Sequence, residues 1–339
     1  MRCLTVADAL KQRNGETRFV SRHLPEHLKY MLATKGHQLM PLDGSSSESI
    51  SDDLAHANWL GTSQHADVQD SIHALSDHTW DWLIVDHYAL DFRWESALRQ
   101  TAKNILAIDD LADRQHDCDV LLDQNFYADI DTRYIGRVPT HCRLLLGPRY
   151  ALLRDEFRQL REQIKPRTGQ VKRVLVFFGG VDADNYTGCA VEILADLDIE
   201  GLHVDVVVGA QYPHREQIES ACAKYQFDCH VQTSRMAELM AAADLAIGAG
   251  GSATWERCCL GLPALTVSLA DNQTEIAKAL DSLGAGKYVG SQETASATVM
   301  HKAILGLLQN KNKVQVLSEK SYSIVDGLGV DRLCEVLGY

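Results

Sequence analysis

No Lys/Arg-rich stretch stands out along this sequence, no C-x-x-C or H-E-x-x-H spacing occurs, and no run of 18 apolar residues is present. Each absence closes off a class. Affinity for a phosphate backbone rests on clustered basic charge, and here Lys plus Arg number 33 against 46 for Asp plus Glu, a formal net charge of -13, so nucleic acid is not an expected partner. The nine cysteines are odd in number and scattered from Cys3 to Cys334, and they read as small buried hydrophobes of a reducing compartment. The 14 histidines are dispersed and never fall in ligand spacing, so no metal site and no cofactor is expected. The opening MRCLTVADALKQRNGE lacks the apolar core of a signal peptide, which with the missing apolar run gives the expectation of a cytoplasmic chain with no membrane partner.

What is present is ordinary globular material: 339 residues, 45% hydrophobic and 23% charged, a length that favours two domains. Short β-rich apolar runs alternate with segments of helical period, the pattern of βα units and parallel sheets. The series is clearest after Lys172, where RVLVFFGG, HVDVVVG, CHVQ, DLAIGAG, PALTVSL and KYVG are each followed by a helical segment. Six βα units make a complete doubly wound domain. The front half repeats the pattern with ETRFVSR, HQLMPL, WDWLIVDHY, NILAIDD and DVLLDQ. Between them, Pro166, Gly169 and RTGQ look like a linker after the stretch beginning LLLGPRY. The expected division is an N-terminal domain over 1–165, a C-terminal domain over 166–315, and a closing helical segment over 316–339 that packs back on the first domain. The first residues are already helical in pattern, with Leu4, Ala7 and Leu10 on one stripe and no strand ahead of them, although a doubly wound domain normally opens with a central strand. A monomer is expected, because no exposed apolar helix face is obvious.

The strongest constellation for chemistry is DLAIGAGGSATWERCCLGLPALTV, a strand, a turn carrying Gly248, Gly250 and Gly251, and a helix opening at Ser252. Glycines let backbone approach a ligand, and the free amides of a first helical turn bind a phosphate without a lysine, so Gly250, Gly251, Ser252, Ala253 and Thr254 are candidates to hold a diphosphate. Glu256, one turn beyond Ser252, can accept from both hydroxyls of a ribose. The bland alternative is a glycine turn, a serine cap and a surface glutamate. In FFGGVDADN, Gly179 and Gly180 suggest close backbone approach; Asp182 and Asp184 match a D-x-D metal pattern, while Asp184 also suits a helix cap. At the end of the strand in LIVDHYALD stand Asp86, His87 and Tyr88, and the next strand ends in Asp109, Asp110 and Asp113, on the edge where open α/β sheets bind ligands. Arg149 and Arg154 lie beside the boundary as cations for a ligand or as solvated helix charge, and Asn272 and Gln273 precede a helix as ligand contacts or an ordinary cap.

Taken in order, VDHY, IDDLADR, CDVLLDQN, GPRYALLRDEF, FFGGVDADN, GAGGSATWERCCLGLP, DNQ and VDGLGVDRL resemble the UDP-2,4-diacetamido-2,4,6-trideoxy-β-L-altropyranose hydrolases of pseudaminic acid biosynthesis, over nearly the whole chain. The GGS-x-x-x-E element is shared with the wider GT-B group. The resemblance implies a GT-B fold of two Rossmann-like domains, a UDP-sugar as partner, and inverting hydrolysis without a metal. It places the diphosphate on the Gly250 to Ala253 amides, the ribose on Glu256, and Arg154, Gly180, Asp182 and Gln273 near the nucleotide-sugar, with Tyr88 and Asn272 beside the sugar and the attacking water. In the family a short strand and a G-x-G-H loop precede the part matching MRCLTVADAL, and that histidine is the general base. No stretch here matches the loop, neither His23 nor His27 takes its role, and impaired turnover is expected of the chain as it stands. A GT-B glycosyltransferase and a non-catalytic sugar-nucleotide binder are the alternatives.

Overall fold

A computed structural model of the chain describes residues 1–42 and 52–339. The fold falls into two compact units, one made of residues 1–125, 129–152 and 328–339 and the other of 126–128 and 153–327.

The first unit runs α1 (Arg2–Gln12), β1 (Arg18–Ser21), α2 (Glu26–Lys35), β2 (Gln38–Pro41), α3 (Gln64–Leu75), β3 (Trp80–Val85), α4 (Phe92–Leu98), β4 (Ala102–Ile108), β5 (Val120–Asp123) and β6 (Arg143–Leu146). Local chemistry sets the ends: Ser63 Oγ accepts from the Ala66 amide to open α3, the Asp91 carboxylate accepts from the Arg93 amide to open α4, and α2 stops at Gly36 in the left-handed region. Strands β3, β4, β5 and β6 pair side by side and all parallel, whereas β1 and β2 form a separate parallel pair. The sheet is buried on both faces. Ile105 and Leu121 pack with Trp94 and Leu98, and the alternate residues Leu106, Ile108, Val120 and Leu122 pack with Val6 and Leu10 of α1. Strand β6 was not expected, since a four-residue apolar run has no period of its own; it forms because Arg143 to Leu146 pair in register with Val120 to Asp123.

The second unit follows as α5 (Asp155–Gln163), β7 (Arg173–Phe177), α6 (Tyr186–Asp196), β8 (His203–Val208), α7 (Arg215–Tyr225), β9 (Asp228–Val231), α8 (Met236–Ala242), β10 (Leu245–Ala249), α9 (Ala253–Cys259), β11 (Ala264–Ser268), α10 (Asp271–Leu283), β12 (Lys287–Ser291), α11 (Ala297–Leu308) and α12 (Lys311–Ile324). Its six strands lie all parallel in the order β12-β11-β10-β7-β8-β9, so the chain starts in the middle, winds outward, and returns to wind the other way. The reversal falls between β7 and β10, the switch point whose carboxyl ends bind ligands in open α/β sheets. The final helix α13 (Gly329–Leu337) belongs to the first unit, where Leu333, Cys334 and Leu337 bury against Leu10 and the β4–β5 face.

The segment around Pro166 is no loose linker. The Arg167 guanidinium is buried and donates to the carbonyls of Ala243, Leu260, Met240 and Ala241, and its amide donates to Ser318 Oγ at 2.7 Å, pinning the segment inside the second unit. Four carbonyl acceptors satisfy a charge that burial would otherwise make costly.

Candidate nucleotide site

The carboxyl ends of β7 and β10 carry the residues singled out by sequence. Gly248 sits inside β10 rather than in the turn, and a Cβ there would lie 2.0 Å from the Phe177 carbonyl oxygen, so this glycine serves the close seam between the two central strands. Gly250 and Gly251 make the turn itself. Gly251 has φ of 124°, a conformation that side chains strongly resist, and it delivers Ser252 at the start of α9. Ser252 holds the cap position without capping: its hydroxyl makes no bond to the first turn. Ala253 opens the helix and adds no polar side chain of its own.

Both polar groups of Thr254 are engaged within the turn, the amide donating to the Gly251 carbonyl at 2.9 Å and the hydroxyl accepting from Arg257 at 3.2 Å. Arg257 was not foreseen. It is fully buried in α9 and also donates to the carbonyl of Ala249, the last residue of β10, at 3.0 Å, which ties helix start to strand end and fixes the angle of the glycine turn. Burial lowers its pKa. The available signal was an arginine among the apolar residues of TWERCCL, a place where a charge must find carbonyls.

Glu256 lies one turn into α9, half-buried, with its carboxylate 3.7 Å from Nη2 of Arg154. Burial pushes its pKa up, opposed by the Arg154 and Arg257 cations. Arg154 is itself held by Glu156 at 2.7 Å and by the Phe157 ring 5.1 Å beneath it. A carboxylate kept partly dry beside a cation, with its second oxygen free of that contact, is an acceptor suited to a diol. Gln273, near the start of α10, faces the glycine turn: a Cβ on Gly250 would lie 3.0 Å from the Gln273 Cβ, and Gln273 Oε1 accepts from the Leu269 amide. Asn272 is exposed in the first turn of the same helix.

At the end of β7 the roles of the two aspartates are reversed from the expected ones. Asp182 is buried and its oxygens accept from the Tyr186 and Thr187 amides at 3.1 and 2.8 Å, with Asn185 capping beside it, whereas Asp184 caps nothing and accepts from Gln292. Positive φ at Asp182 and Asn185 shapes the turn that lets Asp182 reach back to those amides, a conformation spacing alone does not reveal. Gly180 is open on the side where a Cβ would stand.

In the first unit, Tyr88 donates to Asp110 at 2.6 Å, and its ring lies against His56 and Trp59. Burial and the Asp110 carboxylate raise its pKa, so it is a neutral donor. Arg2 joins Asp86 at 2.7 Å and Asp110 at 3.0 Å, closing a polar cluster at the carboxyl edge of β3 and β4. Asp109 is fully buried with Arg114 and Tyr134, and Asp113 pairs with Arg114, so these two tie down loops.

Residues 173–327, which span the second sheet and the glycine turn, match the glycosyltransferase family 28 C-terminal domain. Among curated proteins, the chain is 29% identical over 216 residues to the spore coat polysaccharide biosynthesis protein SpsG of Bacillus subtilis, covering 62% of each chain. It is 30% identical over 147 residues to the UDP-2,4-diacetamido-2,4,6-trideoxy-beta-L-altropyranose hydrolase of Campylobacter jejuni, covering 43% of this chain and 50% of that protein. The matched stretch thus spans half to about three-fifths of these relatives. The crystal structure of Acinetobacter baumannii MurG superposes with a TM-score of 0.64 at 16% identity, covering all of this chain and 95% of that one. The fold is GT-B-like, two α/β units with parallel Rossmann-like sheets, as the sequence led one to expect.

Proposed function

We propose that this chain binds UDP through its second unit and acts on a UDP-activated sugar, hydrolysing UDP-2,4-diacetamido-2,4,6-trideoxy-β-L-altropyranose to the free sugar and UDP, a step of pseudaminic acid biosynthesis. The observation that carries the reading is Glu256, a half-buried carboxylate with raised pKa one helical turn beyond a glycine turn at a sheet switch point. The ribose hydroxyls would donate to it, while amides of the Gly250 to Ala253 backbone would receive the diphosphate. The resemblance to the Campylobacter hydrolase supports the sugar. In the reaction, water attacks the anomeric carbon, the bond from that carbon to the phosphate oxygen breaks, and UDP leaves with the electron pair; its charge lets it depart without a general acid, and amides and helix dipole stabilise it. The proton of the attacking water needs a base near neutral pKa. Tyr88 and Asn272 are the proposed sugar-side residues, with Arg154, Gly180, Asp182 and Gln273 around the nucleotide.

A second reading, transfer of the sugar to a hydroxyl acceptor, is favoured by the match to a glycosyltransferase domain. Titrating the chain with UDP in a calorimeter tests the site, with saturable heat expected. Measuring UDP release from the diacetamido sugar nucleotide in water alone tests the reaction. Release only when an acceptor is added would replace hydrolysis by transfer, and no heat with UDP would overturn both.

A further inference from the structure

Two thiols of the first unit lie within reach of one another. Cys118 stands just ahead of β5 and Cys142 just ahead of β6, and their sulfurs are 3.6 Å apart. The sheet, not the sulfurs, sets that distance. Strands β5 and β6 pair from Val120 and Arg143 onward, the Arg143 amide donates to the Asp119 carbonyl at 2.8 Å, and the Asp119 amide donates to the Ile105 carbonyl at 2.9 Å. Both backbones are thus fixed one residue from each cysteine. A tight turn delivers Cys142, whose amide donates to the Pro139 carbonyl at 3.0 Å.

The pair is asymmetric. Cys118 is fully buried with Leu98, Ile105 and Leu121, while Cys142 packs on the rim of that core and stays partly exposed. The Cys118 thiol donates to the Cys142 sulfur and favours its thiolate, which lowers the Cys142 pKa against the opposing pull of burial and of the Asp119 and Glu95 carboxylates. Cys118 would lose that hydrogen bond on ionising and is buried besides, so it is held protonated. An accessible thiolate beside a buried thiol is the arrangement of an attacking and a resolving cysteine. A disulfide needs its sulfurs about 2.05 Å apart, so closure asks for a movement of about 1.5 Å, which rotation of the Cys142 side chain supplies.

From this geometry we infer that Cys118 and Cys142 form a reversible disulfide by exchange with a small-molecule disulfide such as glutathione disulfide, and that the bond clamps the edge strand β6 to β5. The Cys142 thiolate attacks one sulfur of glutathione disulfide, whose S–S bond breaks; one glutathione leaves as thiolate and the other stays on Cys142 as a mixed disulfide. Cys118 then gives up its proton, its sulfur attacks the Cys142 sulfur, and the second glutathione departs with the electron pair. Two protein thiols are oxidised, one small disulfide is reduced to two thiols, and the departing thiolates take up the protons the cysteines released. Strand β6 is four residues long and lies at the edge of the sheet. The bond closes the stretch from 118 to 142, which carries Tyr134 with its bonds to buried Asp109 and Asp123. Cross-linking that stretch narrows the unfolded ensemble, and it does so at the amino ends of β5 and β6, away from the carboxyl edge that holds Tyr88 and Asp110. The inference is independent of the nucleotide reading.

The experiment incubates the fully reduced chain with glutathione disulfide, alkylates the remaining thiols and maps the digest by mass spectrometry, with thermal melting followed on the same samples. A peptide linking Cys118 to Cys142 is expected, told apart by its mass from one linking Cys222 to Cys229, which also share a hydrogen bond. The melting temperature of the first unit should rise by about 5 °C or more and return on reduction with dithiothreitol. Cys118→Ala should stop the reaction at a glutathione adduct on Cys142, and Cys142→Ser should leave Cys118 unmodified. Because Cys118 is a core residue, the map of the unsubstituted chain decides the matter should its variant fail to fold. No linkage between Cys118 and Cys142 in the folded chain, linkage only after denaturation, or a bond that lowers the melting temperature would overturn the inference.

Discussion

Glu256 shows how one side chain can carry a site. In the proposed role its carboxylate must be ionised to accept from two ribose hydroxyls, and burial has already raised its pKa above that of a free glutamate. Nucleotide binding therefore draws on the deprotonated form, and affinity is lost as pH falls through the raised value, at a higher pH than for an exposed carboxylate. Glu256→Gln should weaken UDP about 10- to 100-fold, the scale of a hydrogen bond to a charged group, and should flatten the acid limb; calorimetry between mildly acidic and neutral pH checks both. Asp123 is a structural counterpart with the same sign of shift. It is fully buried, accepts from Tyr134 at 2.9 Å and the Asn125 amide, and burial with the nearby Asp109 and Asp110 charges leaves its pKa pushed up to about 7. The folded state thus holds a proton that the unfolded chain releases near pH 4, so this group's contribution to stability is full below that, declines as pH rises, and is gone above about 7. The swing is on the order of 4 kcal/mol. Asp123→Asn should remove most of it, and denaturant unfolding at pH 5 and pH 8 would show the slope gone; an unchanged slope would mean that Asp123 is ionised throughout.

Among elements, the seam between β7 and β10 decides whether the glycine turn exists. The turn is aimed by two fixtures outside it, the close approach at Gly248 and the Arg257 bond to Ala249. Gly248→Ala forces a methyl onto the Phe177 carbonyl and should cost about 1 to 3 kcal/mol, as overpacking does, while also loosening UDP binding without touching any group that contacts it. Thermal melting and UDP titration of the same sample separate this from plain misfolding. Sequence showed β10 and α9 clearly, and the apolar run of one and the apolar face of the other needed no tertiary context. It did not show which glycine makes the turn and which the seam, because both sit in one IGAGGS string and only the neighbouring strand tells them apart. The exchange of roles between Asp182 and Asp184 has the same origin, since the backbone conformation at Asp182 and Asn185 decides which carboxylate reaches the helix amides.

At the scale of the molecule, the two units have separate cores, one built from β7 to β12 with their helices and one from β3 to β6 with α1, α3, α4 and α13. Separate cores predict separable unfolding, and a ligand stabilises only the part that binds it. Calorimetric melting should resolve two transitions, and UDP at 100 times its Kd should raise only the second unit's, by about 2.7 kcal/mol of stability. A single transition, or a UDP shift in the other one, would contradict the assignment of the nucleotide to residues 153–327. The acidic balance of the chain fits such a site, since a diphosphate approaching a net charge of -13 needs local positive potential, and backbone amides provide it without a cluster of lysines.

The sequence by itself determined the α/β class, the six βα units after Lys172 and the helical character of the first residues, because each rests on local periodicity and composition. It also marked the Gly250 to Glu256 string, because glycines and an acid at one-turn spacing are local features. Tertiary structure alone decided that Arg167 is a buried anchor, that Arg257 aims the turn, that residues 143–146 make a strand, and that β1 and β2 pair apart from β3 to β6. Those outcomes depend on which carbonyls and strand edges come within bonding distance across tens of residues, and no local pattern encodes that.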